Sequence, residues 1–388
     1  MENMTKTFAK IFGSAIPEKF FAPGRVNLIG EHTDHEGGFV FPCAINLGIN
    51  ALASKREDDL IRLYSMNFDE GIFTPFEIEI SEIKSKSEIR SWVNYPLGVV
   101  HTLLKHGYKF GGADILYNGN LPGGAGLSSS AAIEVLTGKI FSEFFNLNID
   151  GVNMAKFSQE AENKFVGMNC GIMDQFAVSM GKKNHAVLLN CSTLEYSYAP
   201  LELENYKIVI TNSNVPHSLA GSEYNLRRQQ CEQALAHIQN VKKISCLCEL
   251  TPDELDEFSF SVADPVNLRR ALHAVNENTR AIRASKALKD GDLNLFGRLM
   301  NASHVSLRDN YQVTVPELDT LASLAWKFDG VVGSRMTGGG FGGCTVSIVE
   351  NDSVEKFINS IGSEYEKICG RKADFYVIET SDGAGRVK

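Results

Sequence analysis

Apolar positions change their spacing along the chain, and these changes predict an alternation of strands and helices. A short apolar run at residues 113–118 predicts a strand, and the spacing over residues 127–145 predicts a helix. Between them the segment LPGGAG at residues 121–126 predicts a turn, because glycine and proline interrupt regular structure. Three segments are rich in glycine, at residues 22–46, 121–135 and 333–348, and the middle one therefore leads directly into a helix N-terminus.

The rest of the chain continues this mixture of elements. Helical spacing recurs over residues 152–165, 222–238, 266–288, 293–309 and 315–326, and apolar runs at residues 186–189 and 208–211 predict strands. The chain then continues as strand, loop, strand, helix and strand. This irregular order predicts an α+β architecture with a boundary near residues 195–210. We assign residues 1–205 to an N-terminal lobe and residues 206–388 to a C-terminal lobe.

Composition and charge limit the class of protein. The 388 residues, 43% of them hydrophobic and 22% charged, suffice for two packed domains. The net charge of −9 and the lack of a block of basic residues argue against binding to nucleic acid or to an anionic membrane. Any bound phosphate must therefore be held by local groups.

Export and membrane signals are not found in the sequence. No stretch approaches the roughly 20 uninterrupted apolar residues of a membrane-spanning helix, and residues 1–20 lack an apolar core suited to export. The eight cysteines form no CxxC pair and no zinc-type spacing, which predicts reduced thiols that act as small core residues. We expect a cytoplasmic protein without a cysteine-bound metal.

The segment LPGGAGLSSSAA at residues 121–132 is the first candidate for chemistry. Its glycines allow backbone N–H groups to face a concavity, and the helix start adds the positive end of a dipole. A di- or triphosphate would fit such a cradle. The segment is not a Walker A loop, because no lysine follows its last glycine. A glycine turn with serine caps explains the same residues equally well.

Hydroxyl and carboxylate groups near this loop are candidates for a magnesium site. Ser128, Ser129 and Ser130 lie where the helix begins, and a hydroxyl there can bind a phosphate-bound Mg²⁺. A carboxylate would be the second donor, and Glu160 and Glu162 on the next predicted helix are the candidates. A solvated helix charge is the alternative for each.

Two further segments contain charged side chains that require an explanation. Asp174 lies between apolar neighbours in GIMDQF, where a buried charge requires a function, a helix cap or a salt bridge. The segment APGRVNLIGEHTD at residues 22–34 brings an arginine, a histidine and two carboxylates together, which suits a polyol ligand. His32 in this segment could instead be a structural histidine.

Three segments together resemble the galactokinases of the GHMP kinase superfamily. PGRVNLIGEHTDHEGG resembles the galactokinase signature, LPGGAGLSSSAA the superfamily's ATP motif and GSRMTGGGFGGCTV its third motif. GMNCGIMDQF, NSNVPHSLAGSEYNLRRQQCE and SHVSLRDNYQVTVPELD are also similar to galactokinase segments, in matching order along nearly the entire chain. The resemblance implies the two-lobed α+β GHMP kinase fold, with the active site in the cleft between the lobes.

The resemblance also implies an activity and a set of roles. The activity is ATP-dependent phosphorylation of the C1 hydroxyl of galactose, the entry step of galactose catabolism. Asp174 matches the catalytic aspartate that takes the hydroxyl proton, and Arg25 matches the arginine beside it. The matching sugar-binding residues are Glu31, His32, Thr33, Asp34, Asp174 and Tyr224. No obligatory protein partner is implied.

ATP and Mg²⁺ are the co-substrate and metal that the resemblance implies. Ser130 and Glu162 match the superfamily's magnesium ligands. The third motif, residues 338–343, would bring backbone close to the phosphate loop. The residues that match nucleotide contacts are Ser65, Gly124, Ala125, Gly126, Leu127, Ser128, Ser129 and Ser130. Ser65 is an isolated serine on a strand, for which a plain surface position is the alternative.

Departures from the family pattern are confined to the rim of the expected sugar site. His35 and Glu36 stand where galactokinases commonly carry Tyr-Asn, and Pro216, Ser218 and Gly221 lie where Arg or Asp often occur. A kinase for N-acetylgalactosamine or another hexose is therefore one alternative. A non-catalytic galactose and ATP sensor is another, although its expected lesions in the SSSAA loop are missing. Mevalonate and homoserine kinases would not carry residues 25–34 in this form.

Overall fold

The computed structural model describes residues 2–13, 16–69, 71–84, 86, 91–122, 126–215 and 220–387. The strands within these ranges form three sheets. In chain order they are β1 (Glu18–Asn27), β2 (Phe39–Val40), β3 (Pro42–Lys55), β4 (Leu60–Ser65), β5 (Phe76–Glu79), β6 (Ala113–Gly119), β7 (His185–Asn190), β8 (Tyr196–Pro200), β9 (Tyr206–Asn212), β10 (Val331–Thr337), β11 (Cys344–Glu350), β12 (Asp374–Ile378) and β13 (Gly385–Arg386).

Helices fill the intervals between these strands. They are α1 (Glu2–Phe12), α2 (Asn94–Lys105), α3 (Ser129–Phe144), α4 (Gly151–Glu160), α5 (Met173–Met180), α6 (Ala220–Ile238), α7 (Pro252–Phe258), α8 (Pro265–Lys289), α9 (Leu293–Ser306), α10 (Pro316–Trp326) and α11 (Val354–Cys369). Wider π-type turns at Ala161–Val166 and Leu307–Tyr311 extend α4 and α9. Aspartate side chains cap the N-termini of α4, α8 and α9, as expected for residues that accept from free backbone N–H groups.

The largest sheet has the strand order β13-β1-β3-β6-β4-β5, with a parallel pairing only between β4 and β6 among its described pairs. Side chains along β6 point alternately to the two faces of this sheet, and both faces are buried. Ile115 and Tyr117 pack in the cluster that includes α2 and α3, whereas Leu116 packs with Phe8 of α1. The sheet therefore forms the centre of a helix-covered layer that leads into the residue 121–126 loop.

The second large sheet, in the order β10-β11-β9-β12, is likewise covered on both faces. Ile208 and Ile210 of β9 pack in a cluster with residues of α8 and α9, and Val209 packs with α10 and α11. The predicted α+β architecture is confirmed. The division at residues 205/206 stays a prediction; β9 begins at Tyr206, and β13 returns to pair with β1.

Within the ranges that the structure describes, no helix has both the length and the apolar character that crossing a bilayer requires. The eight cysteines all carry free thiols.

A buried carboxylate connects the residue 30–31 turn to helices α8 and α9. Glu277 of α8 is fully buried and accepts a hydrogen bond from the backbone N–H of Gly30 at 2.9 Å. The hydroxyl of Ser303 donates to the same oxygen at 2.5 Å, and Arg280 Nε donates to the other oxygen at 2.7 Å. The conformation of the turn therefore depends on a side chain from α8.

We expect Glu277→Gln to lower the free energy of unfolding by about 3 kcal/mol at pH 7, because it leaves the partly buried Arg280 without its counter-charge. Burial raises the pKa of Glu277, but the charges of Arg280, His273 and Arg335 outweigh it and bring the pKa to about 2. Since this lies below the ordinary value of 4.5, the stabilisation is complete above pH 4.5 and disappears as the pH falls towards 2.

Urea unfolding at pH 7, 5 and 4 measures both effects. The difference between wild type and variant should shrink towards pH 4. Glu364→Gln is the matched control, since Glu364 also pairs with a basic residue three positions later but lies at the surface. We expect it to change stability by less than about 0.5 kcal/mol. A difference for Glu277→Gln that does not vary with pH would contradict the charge-based explanation.

Candidate active site

An ion pair between Arg25 and Asp174 forms the centre of the site. Arg25 lies in β1 and is 4% exposed, and Asp174 lies in the first turn of α5. Arg25 Nε donates to Asp174 Oδ1 at 2.8 Å, and Nη2 donates to Oδ2 at 2.9 Å. A two-point contact of this kind fixes the orientation of both planes. The two residues that the resemblance matched to catalysis are therefore in direct contact.

The end of the glycine loop is attached to this pair. Arg25 Nη1 donates to the carbonyl oxygen of Gly126 at 2.5 Å, and the Ser128 hydroxyl donates to Asp174 Oδ2 at 2.6 Å. Ser128 has a left-handed backbone (φ 65°) at the N-cap of α3, which turns its side chain away from its own helix. Its contact with Asp174 was not predicted, because the sequence associates Ser128 with the nucleotide and its Mg²⁺.

A cavity of about 490 Å³ opens beside Asp174. Its lining comes from segments on both sides of the predicted 205/206 division. The lining includes most of the residues matched to sugar binding. The lining residues are Arg25, Glu31, His32, Asp34, Glu162, Gly167, Met168, Asn169, Cys170, Gly171, Met173, Asp174, Tyr224, Asn225, Gly338 and Gly339. The fold thus brings residues more than 300 positions apart to one cavity.

Glu31 joins the first and third glycine-rich segments. Its carboxylate accepts from the Gly338 backbone N–H at 2.6 Å and from Asn27 Nδ2 at 2.9 Å. Burial raises the pKa of Glu31, and the charge of Arg335 opposes this increase only in part. Gly338 also lies against the loop, since a Cβ there would be 3.4 Å from Gly126 O. The expected approach of the third motif to the phosphate loop is confirmed at Gly338.

His32 and its neighbour Thr33 have different surroundings. His32 lines the cavity, and its buried Nε2 has no hydrogen-bond partner among the described residues. Burial, and then the charge of His35, lowers the pKa of His32 well below its ordinary value, so the ring is neutral at pH 7. Thr33 does not line the cavity; its buried hydroxyl lies 2.8 Å from Phe39 O and 3.0 Å from Gly30 O. The hydroxyl of Thr33 is therefore engaged within the turn, and its role at the sugar stays a prediction.

Asp34 lies at the cavity wall against a glycine. A Cβ at Gly171 would overlap Asp34 Oδ2, so the backbone of residue 171 and this carboxylate can approach only because no side chain intervenes. Burial raises the pKa of Asp34, but the hydrogen bond and the charge of His35 lower it by more, so the net shift of the pKa is downward. Tyr224 of α6 faces the same region, with its ring centroid 5.5 Å from that of His32.

The carboxylate of Glu162 lies deep in the cavity, next to the start of α3. Its Oε2 accepts from Gln175 Nε2 at 2.6 Å. Burial and the charge of Asp174 raise the pKa of Glu162, and a hydrogen bond from the Ser130 side chain acts in the opposite direction. Glu160, the alternative carboxylate, instead pairs with Lys105 at 2.8 Å on the surface. Of the two candidates, only Glu162 meets a loop hydroxyl.

Glu134 is a site residue that the sequence interpretation missed. It is fully buried in α3, and Gln175 Nε2 donates to its Oε2 at 3.1 Å while also donating to Glu162. Glu134 Oε1 has no partner within the described ranges, and burial raises its pKa well above the ordinary value. The available signal was its spacing, because residues 130 and 134 share one face of a helix.

The remaining residues matched to the nucleotide are distributed around the start of α3. Gly126 and Ser129 are exposed, Leu127 is buried, and Ser130 is partly exposed, whereas Gly124 and Ala125 lie outside the described residues. Ser65 is not a surface residue: it is buried at the end of β4, in register with Tyr117 of β6. It does not line the 490 Å³ cavity. Pro216 and Ser218 also lie outside the described residues, and of Gly221 only the backbone, within α6, is described.

Comparison with known proteins identifies the class first. Family models match for the galactokinase galactose-binding signature at residues 6–55, the GHMP kinase N-terminal domain at residues 94–182 and the GHMP kinase C-terminal domain at residues 284–367. Mevalonate kinase from Methanococcus jannaschii shares the fold with a TM-score of 0.63 at 19% identity, over 96% of this chain and 100% of that one. The fold and the site therefore define a GHMP kinase.

Closer relatives narrow the class. The galactokinase of Clostridium beijerinckii is 52% identical over 100% of both chains, and that of Bacillus subtilis is 47% identical over 100% of this chain and 99% of its own. The crystal structure of Lactococcus lactis galactokinase complexed with galactose matches with a TM-score of 0.96 and 42% identity, over 100% of this chain and 99% of that chain. The chain belongs to the galactokinase family. The predicted family, fold and kinase activity are confirmed.

We expect Gly171→Ala to weaken galactose binding at least about tenfold, or 1.4 kcal/mol, because the new methyl group would displace the Asp34 carboxylate. Isothermal titration calorimetry measures the change. Gly385→Ala is the control, since a Cβ at Gly385 meets nothing within 4 Å, and neither glycine has a positive φ. Normal galactose affinity in Gly171→Ala would show that Asp34 does not contact the sugar.

Proposed function

We propose that the chain transfers the γ-phosphoryl group of ATP to the C1 hydroxyl of α-D-galactose, giving α-D-galactose 1-phosphate and ADP. This is the entry step of galactose catabolism. The observation that carries the proposal is the Arg25–Asp174 pair at the wall of the cavity, with the N-terminus of α3 attached to it. One acceptor carboxylate, one guanidinium and one helix start thus converge where a sugar and a phosphate would meet.

Asp174 is proposed to receive the proton of the C1 hydroxyl. A carboxylate offers about four lone-pair positions, and two donors of Arg25 and the hydroxyl of Ser128 occupy three of them. The side chain is 30% exposed, so the remaining position is accessible from the cavity. As the O–H bond breaks, the hydroxyl oxygen forms a bond to the γ-phosphorus and ADP leaves with the electrons of its P–O bond. Since the transition state is loose, orientation matters more than base strength.

Arg25 is proposed to serve both orientation and charge. Its guanidinium holds the Asp174 plane and simultaneously the Gly126 carbonyl, so it links the base to the phosphate loop. A fixed positive charge in a site with little water stabilises negative charge that develops during transfer. We propose that this effect acts on the transferring phosphoryl group.

Sugar recognition is proposed for the polar groups of the cavity wall. The Asp34 carboxylate accepts hydrogen bonds from hydroxyl groups, and the free Nε2 of the neutral His32 ring is available to one more. Tyr224 adds a hydroxyl, and Glu31 keeps the wall in place through Gly338. Groups of different donor and acceptor character at fixed positions select a polyol by the orientation of its hydroxyls.

The phosphates of ATP are proposed to lie at the N-terminus of α3, within reach of backbone N–H groups of residues 126–130. The positive end of the helix dipole favours anions there. Ser65 is proposed at the nucleoside end, near the exposed Phe68, which stacks on Trp92 with a ring centroid distance of 6.3 Å. The third motif closes the loop from the other side through Gly338.

A magnesium ion fits the donors beside this loop. Ser130 and Glu162 supply a hydroxyl and a carboxylate, and Gln175 links Glu162 to the buried Glu134, whose Oε1 has no partner within the described ranges. No three acidic, histidine or cysteine side chains within the described ranges form a ready cage, and Mg²⁺ characteristically binds one or two protein oxygens plus phosphates and water. When bound, Mg²⁺ neutralises phosphate charge; Ser130 and Glu162 hold its position.

We also propose that the protein works in the cytoplasm, which its eight free cysteines support, since such thiols persist in reducing compartments. Galactose and ATP are the proposed partners, and the proposed chemistry requires no second protein.

ADP release with Mg-ATP and a panel of galactose, glucose, N-acetylgalactosamine, mevalonate and homoserine tests the function. We expect turnover with galactose and, by NMR, phosphate on C1. Faster turnover with N-acetylgalactosamine would replace the sugar assignment. Galactose binding without ADP release would support a sensor and remove the catalytic roles of Asp174 and Arg25.

Asp174→Asn should lower kcat at least about 100-fold, because the amide cannot accept the hydroxyl proton, while galactose affinity changes less than about tenfold. Steady-state kinetics and calorimetry measure the two quantities. Asp290→Asn, at the exposed C-terminal end of α8, is the control and should leave both unchanged. Near-normal turnover in Asp174→Asn would rule out its role as the base.

Ser130→Ala and Glu162→Gln should each raise the Mg²⁺ concentration for half-maximal activity by about tenfold, because each removes one proposed ligand. Titration of Mn²⁺ binding by electron paramagnetic resonance, with a non-hydrolysable ATP analogue, gives a readout independent of turnover. Glu160→Gln is the matched control two residues away, since Glu160 pairs with Lys105 and His106. Unchanged metal dependence in both variants would contradict the proposed site.

A further inference from the structure

The turn behind the sugar cavity contains a buried histidine that the proposed mechanism does not use. His35 lies in a short 3-10 helix, Asp34–Glu36, and its side chain is 3% exposed. It does not line the 490 Å³ cavity, whereas its neighbour Asp34 does. A buried imidazole directly behind a proposed sugar ligand requires an explanation.

One ring nitrogen of His35 faces two residues of the cavity wall. Nδ1 lies 3.1 Å from Asp34 Oδ1 and 3.4 Å from the Tyr224 hydroxyl oxygen. Because an ionised carboxylate can only accept, Nδ1 carries a proton and donates it to Asp34. The Tyr224 oxygen lies near the same N–H as a second acceptor, which leaves the hydroxyl proton of Tyr224 free to point elsewhere.

The other ring nitrogen fixes the orientation of the imidazole from behind. Nε2 lies 3.2 Å from the hydroxyl oxygen of Tyr311, which is fully buried at the end of the Leu307–Tyr311 turn. The Tyr311 hydroxyl is also 3.7 Å from Cys231 Sγ of α6. A second contact on the far side prevents the ring from turning, so Nδ1 stays directed at Asp34 and Tyr224.

We propose that His35 is a positioning residue for galactose, which fixes the Asp34 carboxylate and the Tyr224 hydroxyl as an acceptor and donor pair at the cavity wall. Asp34 belongs to the first glycine-rich segment and Tyr224 to α6, on the other side of the predicted lobe division. One N–H group therefore sets the spacing between two groups that different parts of the fold supply. The inference rests on the proposed function, because it assumes that these two side chains meet the sugar.

Three substitutions separate positioning from packing. In His35→Asn the amide nitrogen takes the place of Nδ1 and can still donate to Asp34, whereas in His35→Gln the amide lies nearer to the Nε2 position and Tyr311. His35→Ala removes the contacts of both ring nitrogens. We expect the Ala and Gln variants to raise KM for galactose at least about tenfold, with kcat within about threefold and KM for ATP unchanged. The Asn variant should recover most of the galactose affinity.

His185→Ala is the matched control, since His185 lies on β7 and contacts the carbonyl oxygen of Lys183 instead of the cavity wall. It should leave KM for galactose unchanged. Equal losses of galactose affinity in the Asn and Gln variants would overturn the proposal. A fall in kcat together with a rise in KM for ATP would also overturn it, because either result indicates a general disturbance. The near-isosteric Asn and Gln pair decides the question even if His35→Ala fails to fold.

Calorimetric titration of the same variants with galactose alone separates this inference from the proposed function. If the wild type binds galactose without phosphorylating it, the proposed function fails, and a Kd order of wild type, Asn, Gln and Ala still supports positioning by His35. Equal Kd values in all variants would overturn the inference while leaving the kinase assignment intact. No galactose binding by the wild type would overturn both.

Discussion

The carboxylate of Glu31 is the point at which distant segments of this chain meet, and the remaining geometry depends on it. It accepts from the Asn27 amide at the end of β1 and from the backbone N–H of Gly338, 307 residues later. An unpaired carboxylate at this depth would cost several kcal/mol, so the folded chain has to bring the third glycine-rich segment to the end of β1. Glu277 secures the same turn from α8 through the Gly30 N–H.

The catalytic geometry follows from this constraint. With β1 held at its end, Arg25 is fixed two residues before Asn27 and presents its guanidinium to Asp174 and to the Gly126 carbonyl. The helix start at α3 is thereby attached to Asp174, the proposed base, through Ser128. Two glycines mark close approaches that side chains would prevent: Gly338 lies near the loop and Gly171 lies against Asp34. Rigid attachment of base, loop and sugar wall is what orientation-dependent phosphoryl transfer requires.

Carboxyl groups are concentrated in the same region. Burial raises the pKa of Glu134 and Glu162, and the pKa of Glu31 is shifted in the same direction, while Arg25 contributes a guanidinium to the cavity lining. A site of this composition is poorly suited to a polyanion alone, but it becomes suited to one that arrives with a divalent cation. In a chain with a net charge of −9, phosphate affinity is therefore expected to depend on the helix dipole, on Arg25 and on the metal.

The sequence by itself determined the class of fold, the family and most of the candidate site, because apolar spacing and short motifs are local properties. It did not indicate β1 as a strand; this strand contains Pro23 and Gly24, and a bulge in the β1–β3 pairing accommodates them. Tertiary structure alone decided that Thr33 stabilises a turn, that Ser128 contacts Asp174, and that Glu134 and His35 lie behind the cavity. These roles depend on which segments, separated by tens to hundreds of residues, pack together, and local patterns carry no information about such pairings.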